Sequence, residues 1–251
     1  MWPIAIVGHL KPGWEDAGTI ATRLGQFFAS LAEVDPMFSR WKRTGSRRHC
    51  SRVPALITMP PERTELRTWI EEGAIFESRD GRKKMAGYSI QTLTPGQNPV
   101  RANFWLSYTP EDWWFGHRIG ITMFSGAGSP TEFDDPNKHA ALIALLRHTL
   151  LVTATAWDCN WAGVSPGDYR QDGQPRETVL VEYASGWMIY LDAARAAQIT
   201  PPQDIAVEKL ADGALLLTAA TAAIFNGRNP KHWDAALRIQ AALAPLNKRK
   251  N

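Results

Sequence analysis

The chain has 251 residues, 44% hydrophobic and 21% charged, with 28 Lys/Arg against 25 Asp/Glu. That is long enough to bury a sizeable core, and it excludes a disordered, collagen-like or coiled-coil chain. The longest unbroken apolar run, Ala140 to Leu146, stops at Arg147, far short of the ~20 residues of a membrane helix, so no membrane span is expected.

Residues 3–7 read as a short buried strand. Residues 15–34 read as a helix: Ala17, Ile20, Ala21, Leu24, Phe27, Phe28, Leu31 and Val34 form one stripe, Glu15 and Asp16 favour its first turn, and Asp35-Pro36 stops it. A second helix spans residues 61–72, with Leu66, Trp69 and Ile70 inward and Gly73 as its C-cap. Residues 88–93, 102–108 and 118–124 form an antiparallel meander, separated by Thr94-Pro95-Gly96 and by the loop at residues 110–116.

Asp135-Pro136 opens a third helix whose body, residues 140–156, is apolar nearly all round and is therefore expected to be central. Residues 161–164 are a weak strand, and residues 178–183 and 187–191 are expected to pair as a hairpin over Ala184-Ser185-Gly186. Residues 206–210 pair with 214–218 across Asp212-Gly213. The final helix, residues 230–243, is capped by Asn229 and ended by Pro245. This order lacks strict strand–helix alternation, so the fold class is α+β: antiparallel or mixed sheets with a long N-terminal, a central apolar and a C-terminal helix. The expectation is one domain over residues 1–251, with two sheet-bearing lobes, about 1–130 and 131–251, as the alternative.

The apolar N-terminus has no basic n-region and no small-residue cleavage site, which points to a cytoplasmic protein. Cys50 and Cys159, without a CxxC pattern, read as reduced structural thiols. Eleven tryptophans are enough to furnish both core and contact residues. Residues 1–130 hold 16 basic against 12 acidic side chains, and residues 131–251 hold 12 against 13. Most of the basic excess is the acid-free run Arg40, Lys42, Arg43, Arg47, Arg48 and Arg52, a solvated loop or a phosphate contact. Between Asn103 and Asp135 the balance reverses. There Glu111, Asp112, Glu132, Asp134 and Asp135 stand against Arg118 alone, with Trp113, Trp114 and Phe115 interleaved, a composition that suits a basic protein partner.

Catalytic signals are sparse. Ser125-Gly126-Ala127-Gly128-Ser129 lacks the third glycine of a dinucleotide loop and the Gly-Lys-Ser/Thr of a phosphate loop, and there is no GxSxG. His9, His49, His117, His139, His148 and His232 include no i, i+4 pair. Glu71, Glu72, Glu77 and Asp80 with Lys83 and Lys84 are too loosely spaced to read as a nuclease site. No cofactor and no metal site are expected, and an enzyme is not.

Several segments resemble the immunity protein 52 family. They are Leu31-Ala32-Glu33-Val34-Asp35-Pro36-Met37-Phe38-Ser39-Arg40-Trp41, Gly186-Trp187-Met188-Ile189-Tyr190-Leu191, Asp212-Gly213-Ala214-Leu215-Leu216-Leu217-Thr218, and Asn229-Pro230-Lys231-His232 opening a helix. The similarity thins between Gly73 and Asp135. The resemblance implies a non-catalytic, cytoplasmic bacterial protein that neutralises a restriction-endonuclease-like toxin of a type VI or polymorphic system. Its partner would be the cognate nuclease toxin, and the acidic, Trp-bearing segment its contact surface. The alternative is a nucleic-acid-binding or nucleic-acid-processing protein that uses the Arg40 to Arg52 run for phosphate and Trp41 for stacking. The toxin's identity and the oligomeric state are not readable.

Overall fold

The computed structural model describes residues 4–11, 15–43, 57–58, 63–79, 82–93, 100–108, 117–125, 135–166, 186–226 and 229–247. The strands are β1 (Ile4–Leu10), β2 (Lys42–Arg43), β3 (Ile57–Thr58), β4 (Ala74–Arg79), β5 (Arg82–Leu93), β6 (Val100–Tyr108), β7 (Arg118–Ser125), β8 (Cys159–Pro166), β9 (Met188–Leu191), β10 (Ala206–Lys209) and β11 (Leu215–Thr218). The helices are α1 (Ala17–Val34), α2 (Arg63–Glu72), α3 (His139–Ala156), α4 (Ala193–Ala196) and α5 (Pro230–Leu243). The class is α+β, as the sequence predicts.

The strands join in one antiparallel sheet in the order β10-β11-β9-β8-β1-β7-β6-β5-β2-β3, with β4 also on β5. β1 lies between β7 and β8, so the first strand of the chain bridges the meander β5-β6-β7 and the C-terminal strands. Alternation along β1 sets its two faces. Ile4, Ile6 and Leu10 point into the larger core with Phe27, Phe104, Ile121, Leu146 and Val164, a layer closed by α1, α2 and α3. On the opposite face a smaller core joins Trp161, Ile189, Leu191, Leu215 and Leu217 to Ala196 of α4 and Ala235, Ile239 and Leu243 of α5.

Local signals set the helix ends. Asp16 Oδ1 accepts from the N–H groups of Gly18 (2.7 Å) and Thr19 (3.2 Å), satisfying two otherwise orphaned donors at the start of α1, and Pro36 prevents its continuation. Asn229 Oδ1 accepts from Lys231 N at 3.0 Å and opens α5 as expected. Gly213, at φ +86°, supplies the left-handed residue that the β10–β11 turn requires.

Four expectations change. The hairpin between residues 178–183 and 187–191 does not form on β9, because both edges of Met188–Leu191 are taken, by β8 on one side and β11 on the other; residues 178–183 lie outside the described residues. The weak strand at 161–164 is a full strand, β8, and the sequence reading missed β4. α3 is not enclosed: Leu142, Leu146 and Leu150 face the core, while Ala141, Ala144, His148 and Thr155 are exposed. By length and composition Pro136–Ala156 is long and apolar enough to cross a membrane, which a count of unbroken apolar residues overlooks; in this fold its inward side packs on the sheet.

Candidate partner-binding surface

The strand ends gather one edge of the molecule. His9 pairs with Arg118 on β7 and with Trp161 on β8, Trp161 with Leu191 on β9, and Leu191 with Leu215 on β11. Leu10 N donates to His117 O at 3.0 Å, fixing the point where the β6–β7 connection returns to the sheet. The end of β1, the starts of β7, β8 and β11 and the end of β9 therefore share one end of the sheet. Tyr108 and Arg118, which flank the predicted loop at residues 110–116 in sequence, stand at this end; the loop lies outside the described residues.

Three aspartates absent from the sequence-based candidates stand there: Asp158 before β8, Asp192 after β9 and Asp212 before β11. Asp158, held at φ 49°, accepts from Lys11 Nζ at 2.6 Å. Asp192 caps α4 through Arg195 N (2.9 Å) and pairs with the Arg195 guanidinium (3.0 Å). Asp212 Oδ1 accepts from Ala214 N at 3.0 Å. Burial, and then the charges of Asp212, Asp192, Cys159 and Asp158, push the Tyr190 phenol up to about 12. The signal in the sequence was an acid beside each strand end, visible only once the strands were correctly paired.

Of the predicted contact residues, Glu111, Asp112, Trp113, Trp114, Phe115, Glu132 and Asp134 lie outside the described residues. Asp135 has a structural role: it is half-buried, and its Oδ1 accepts from Asn137 N at 3.0 Å, capping the 3-10 turn Pro136–Lys138 that leads into α3. On the basic run, Arg40 is exposed, but Trp41 is only 3% exposed and stacks on Phe38 with centroids 5.8 Å apart. A buried indole cannot stack on a base, so that part of the nucleic-acid reading is overturned.

The remaining chemistry is that of a packed scaffold. Burial, reinforced by the Arg118 charge, lowers the His9 imidazole to about 3, and the ring meets Trp161 edge-on at 4.9 Å. The Cys159 thiol is buried, with its pKa raised chiefly by that burial, so it is not poised as a nucleophile. Among the described residues no group of three or more His, Cys, Asp or Glu side chains could hold a metal ion.

Against known proteins, the family model of immunity protein 52 matches residues 138–247. Those residues are similar to immunity protein 52. The match contains three of the four segments that carried the resemblance, those at 186–191, 212–218 and 229–232; the N-terminal segment at 31–41 lies outside it. In chain terms it is α3, β8, β9, α4, β10, β11 and α5. No curated protein matches the chain. Among solved structures, the Pseudomonas aeruginosa T6SS protein PA0821 shares the fold, with a TM-score of 0.53 at 11% identity over 98% of this chain and 73% of that one.

Proposed function

We propose that this chain is a non-catalytic immunity protein that binds and neutralises a cognate toxin, that the toxin cleaves DNA, and that the encounter takes place in the cytoplasm. The observation that carries the reading is the immunity protein 52 match over residues 138–247; a fold shared with a T6SS protein is consistent with it. A surface that grips DNA is basic, and the sequence segment bearing Glu111, Asp112, Trp113 and Trp114 would meet it with complementary charge and with aromatic anchors; the aspartates at the β8 and β9 ends are already paired with Lys11 and Arg195. With a sequence pI near 8.9, the complementarity must be local.

The test uses the protein encoded beside this chain's gene as candidate toxin. Plasmid DNA is incubated with that protein alone, with this chain alone, and with both. Cleavage by the neighbour that stoichiometric addition of this chain abolishes supports the proposal; a toxin that kills without damaging DNA would refute its nuclease part, and metal-dependent DNA cleavage by this chain would refute the non-catalytic part. A Trp113→Ala, Trp114→Ala double variant is expected to lose about 2 kcal/mol or more of affinity while melting normally. Wild-type affinity from that variant would remove the loop from the interface.

A further inference from the structure

The segment Asn229-Pro230-Lys231-His232 does more than open α5. Between β11 and α5 the chain at residues 219–226 forms neither helix nor strand, so its hold on the molecule rests on a few bonds. The near end is tied to Trp187: Ala219 N donates to Trp187 O at 2.8 Å, and the Trp187 indole N–H donates to Ala220 O at 2.7 Å. The far end is tied to the first turn of α5. Asn226 N donates to Nδ1 of His232 at 3.0 Å, Asn229 N donates to Asn226 O at 2.9 Å, and the Phe225 and His232 rings lie with centroids 5.7 Å apart. Phe225 is 3% exposed and joins the larger core, so this turn keeps an aromatic side chain out of water.

An imidazole accepts a hydrogen bond at Nδ1 only while it is neutral, with its proton on Nε2. The charged ring carries N–H on both nitrogens and would set one donor against another where the Asn226 bond now stands. The other ties of the connection join backbone or indole N–H groups to carbonyls, and none of those titrates. His232 is half-buried, and that burial lowers its pKa from the ordinary 6.5. No ionisable side chain lies at residues 219–226 or in β11, and the charged neighbours on α5, Lys231 and Asp234, are exposed to solvent. Because the folded ring is harder to protonate than a free one, proton uptake favours the released turn. The hold is complete above about pH 6.5 and weakens as the pH falls below it.

We propose that His232 is a pH-sensitive clasp: its neutral ring holds the turn at Phe225-Asn226 on α5, and its protonation lets that turn go. Release is local, because the Trp187 ties remain and so does the Asn229 cap, whose Oδ1 accepts from Lys231 N at 3.0 Å. The proposal does not depend on the immunity reading and needs no toxin to test.

Nuclear magnetic resonance on the full chain, deuterated and labelled with nitrogen-15, reads both partners of the bond. At pH 8 the His232 ring is expected as the Nε2–H tautomer. Between pH 8 and 5 the exchange protection of the Asn226 amide, corrected for its intrinsic exchange rate, is expected to fall about tenfold in step with protonation of His232, the worth of one hydrogen bond. His232→Asn offers an Oδ1 acceptor near the place of Nδ1 without a titrating group, so it should keep the protection seen at pH 8 and lose the pH dependence. His232→Phe should lack the protection throughout. A single amide separates this effect from that of His9, whose imidazole titrates near 3. An Nδ1–H tautomer, or Asn226 protection that stays constant while His232 titrates, overturns the proposal, and both are read on the wild type should a variant fail to fold. A pH dependence that survives His232→Asn overturns it as well.

Discussion

Gly120 lies in the middle of β7, directly across from Trp105 on β6, and the indole rests where a side chain would otherwise stand: a Cβ at position 120 would lie 2.3 Å from a carbon of that ring. No real Cβ contact is so short, so the glycine is required by packing rather than by backbone conformation. Gly120→Ala is expected to cost about 1–3 kcal/mol in urea unfolding, and Trp105→Ala made in the same chain to cancel much of that cost; independent, additive losses would contradict the account. His9 tests burial in another way. Its folded pKa, about 3, lies below the ordinary 6.5, so the unfolded chain takes up the proton first. Stability contributed by the neutral imidazole is therefore present above about pH 6.5 and falls as the pH drops towards 3, by at most about 1.4 kcal/mol per pH unit. Urea midpoints measured between pH 7 and 4.5 should show this slope, and His9→Gln should flatten it.

At the scale of elements, α1 and β9 carry the fold. Phe27 is fully buried on α1 and touches Phe104 of β6 and Trp157 at the end of α3, with ring centroids 5.6 and 5.9 Å apart, so one side chain joins three elements. Phe27→Ala should lower stability by about 3–5 kcal/mol, read by denaturant midpoint; a loss below 1 kcal/mol would mean that the site collapses around the gap. β9 is four residues long and buried along its whole length, with Trp187 at its entry donating its indole N–H to Ala220 O at 2.7 Å. Trp187→Phe keeps most of the apolar area and removes that donor, leaving a buried carbonyl short of a partner, so about 1 kcal/mol of destabilisation is expected. Phe28, on the same predicted stripe as Phe27, is only half-buried and packs on Trp41.

At the scale of the molecule, the sheet joins both halves of the sequence, and its antiparallel order brings the ends of the β6–β7 connection and the Asp158, Asp192 and Asp212 turns to one end. If a basic toxin approaches this end, Glu111→Lys with Asp112→Lys should slow association and weaken its salt dependence while dissociation changes little, since exposed charges act mainly on encounter. Stopped-flow kinetics at two salt concentrations measures it. An unchanged association rate would move the contact elsewhere, with the face bearing Arg40 and the C-terminal helices as the remaining candidates.

What the sequence determined by itself is what depends on near neighbours in the chain. The 3.6-residue stripe of α1, the cap at Asn229, the Asp212-Gly213 turn and the meander β5-β6-β7 all rest on interactions within a few residues, and each stands as read, whereas Asp16, read as a first-turn residue, is the N-cap of α1, and Asp135, read as the cap of α3, caps the 3-10 turn ahead of it. The segments resembling immunity protein 52 at 186–191, 212–218 and 229–232 are of this kind too, short motifs with a fixed local geometry. Tertiary structure alone decided which strands pair. β9 could have met residues 178–183 by proximity, but its hydrogen-bonding edges went to β8 and β11, because there its Met188 and Tyr190 join the larger core and its Ile189 and Leu191 the smaller one. The same pairing brought three separated aspartates to one end of the sheet, turned Trp41 from a surface candidate into core and left one side of an apolar helix in solvent. None of these has a local cause: each follows from distant segments competing for the same buried surface, which no spacing in the chain records.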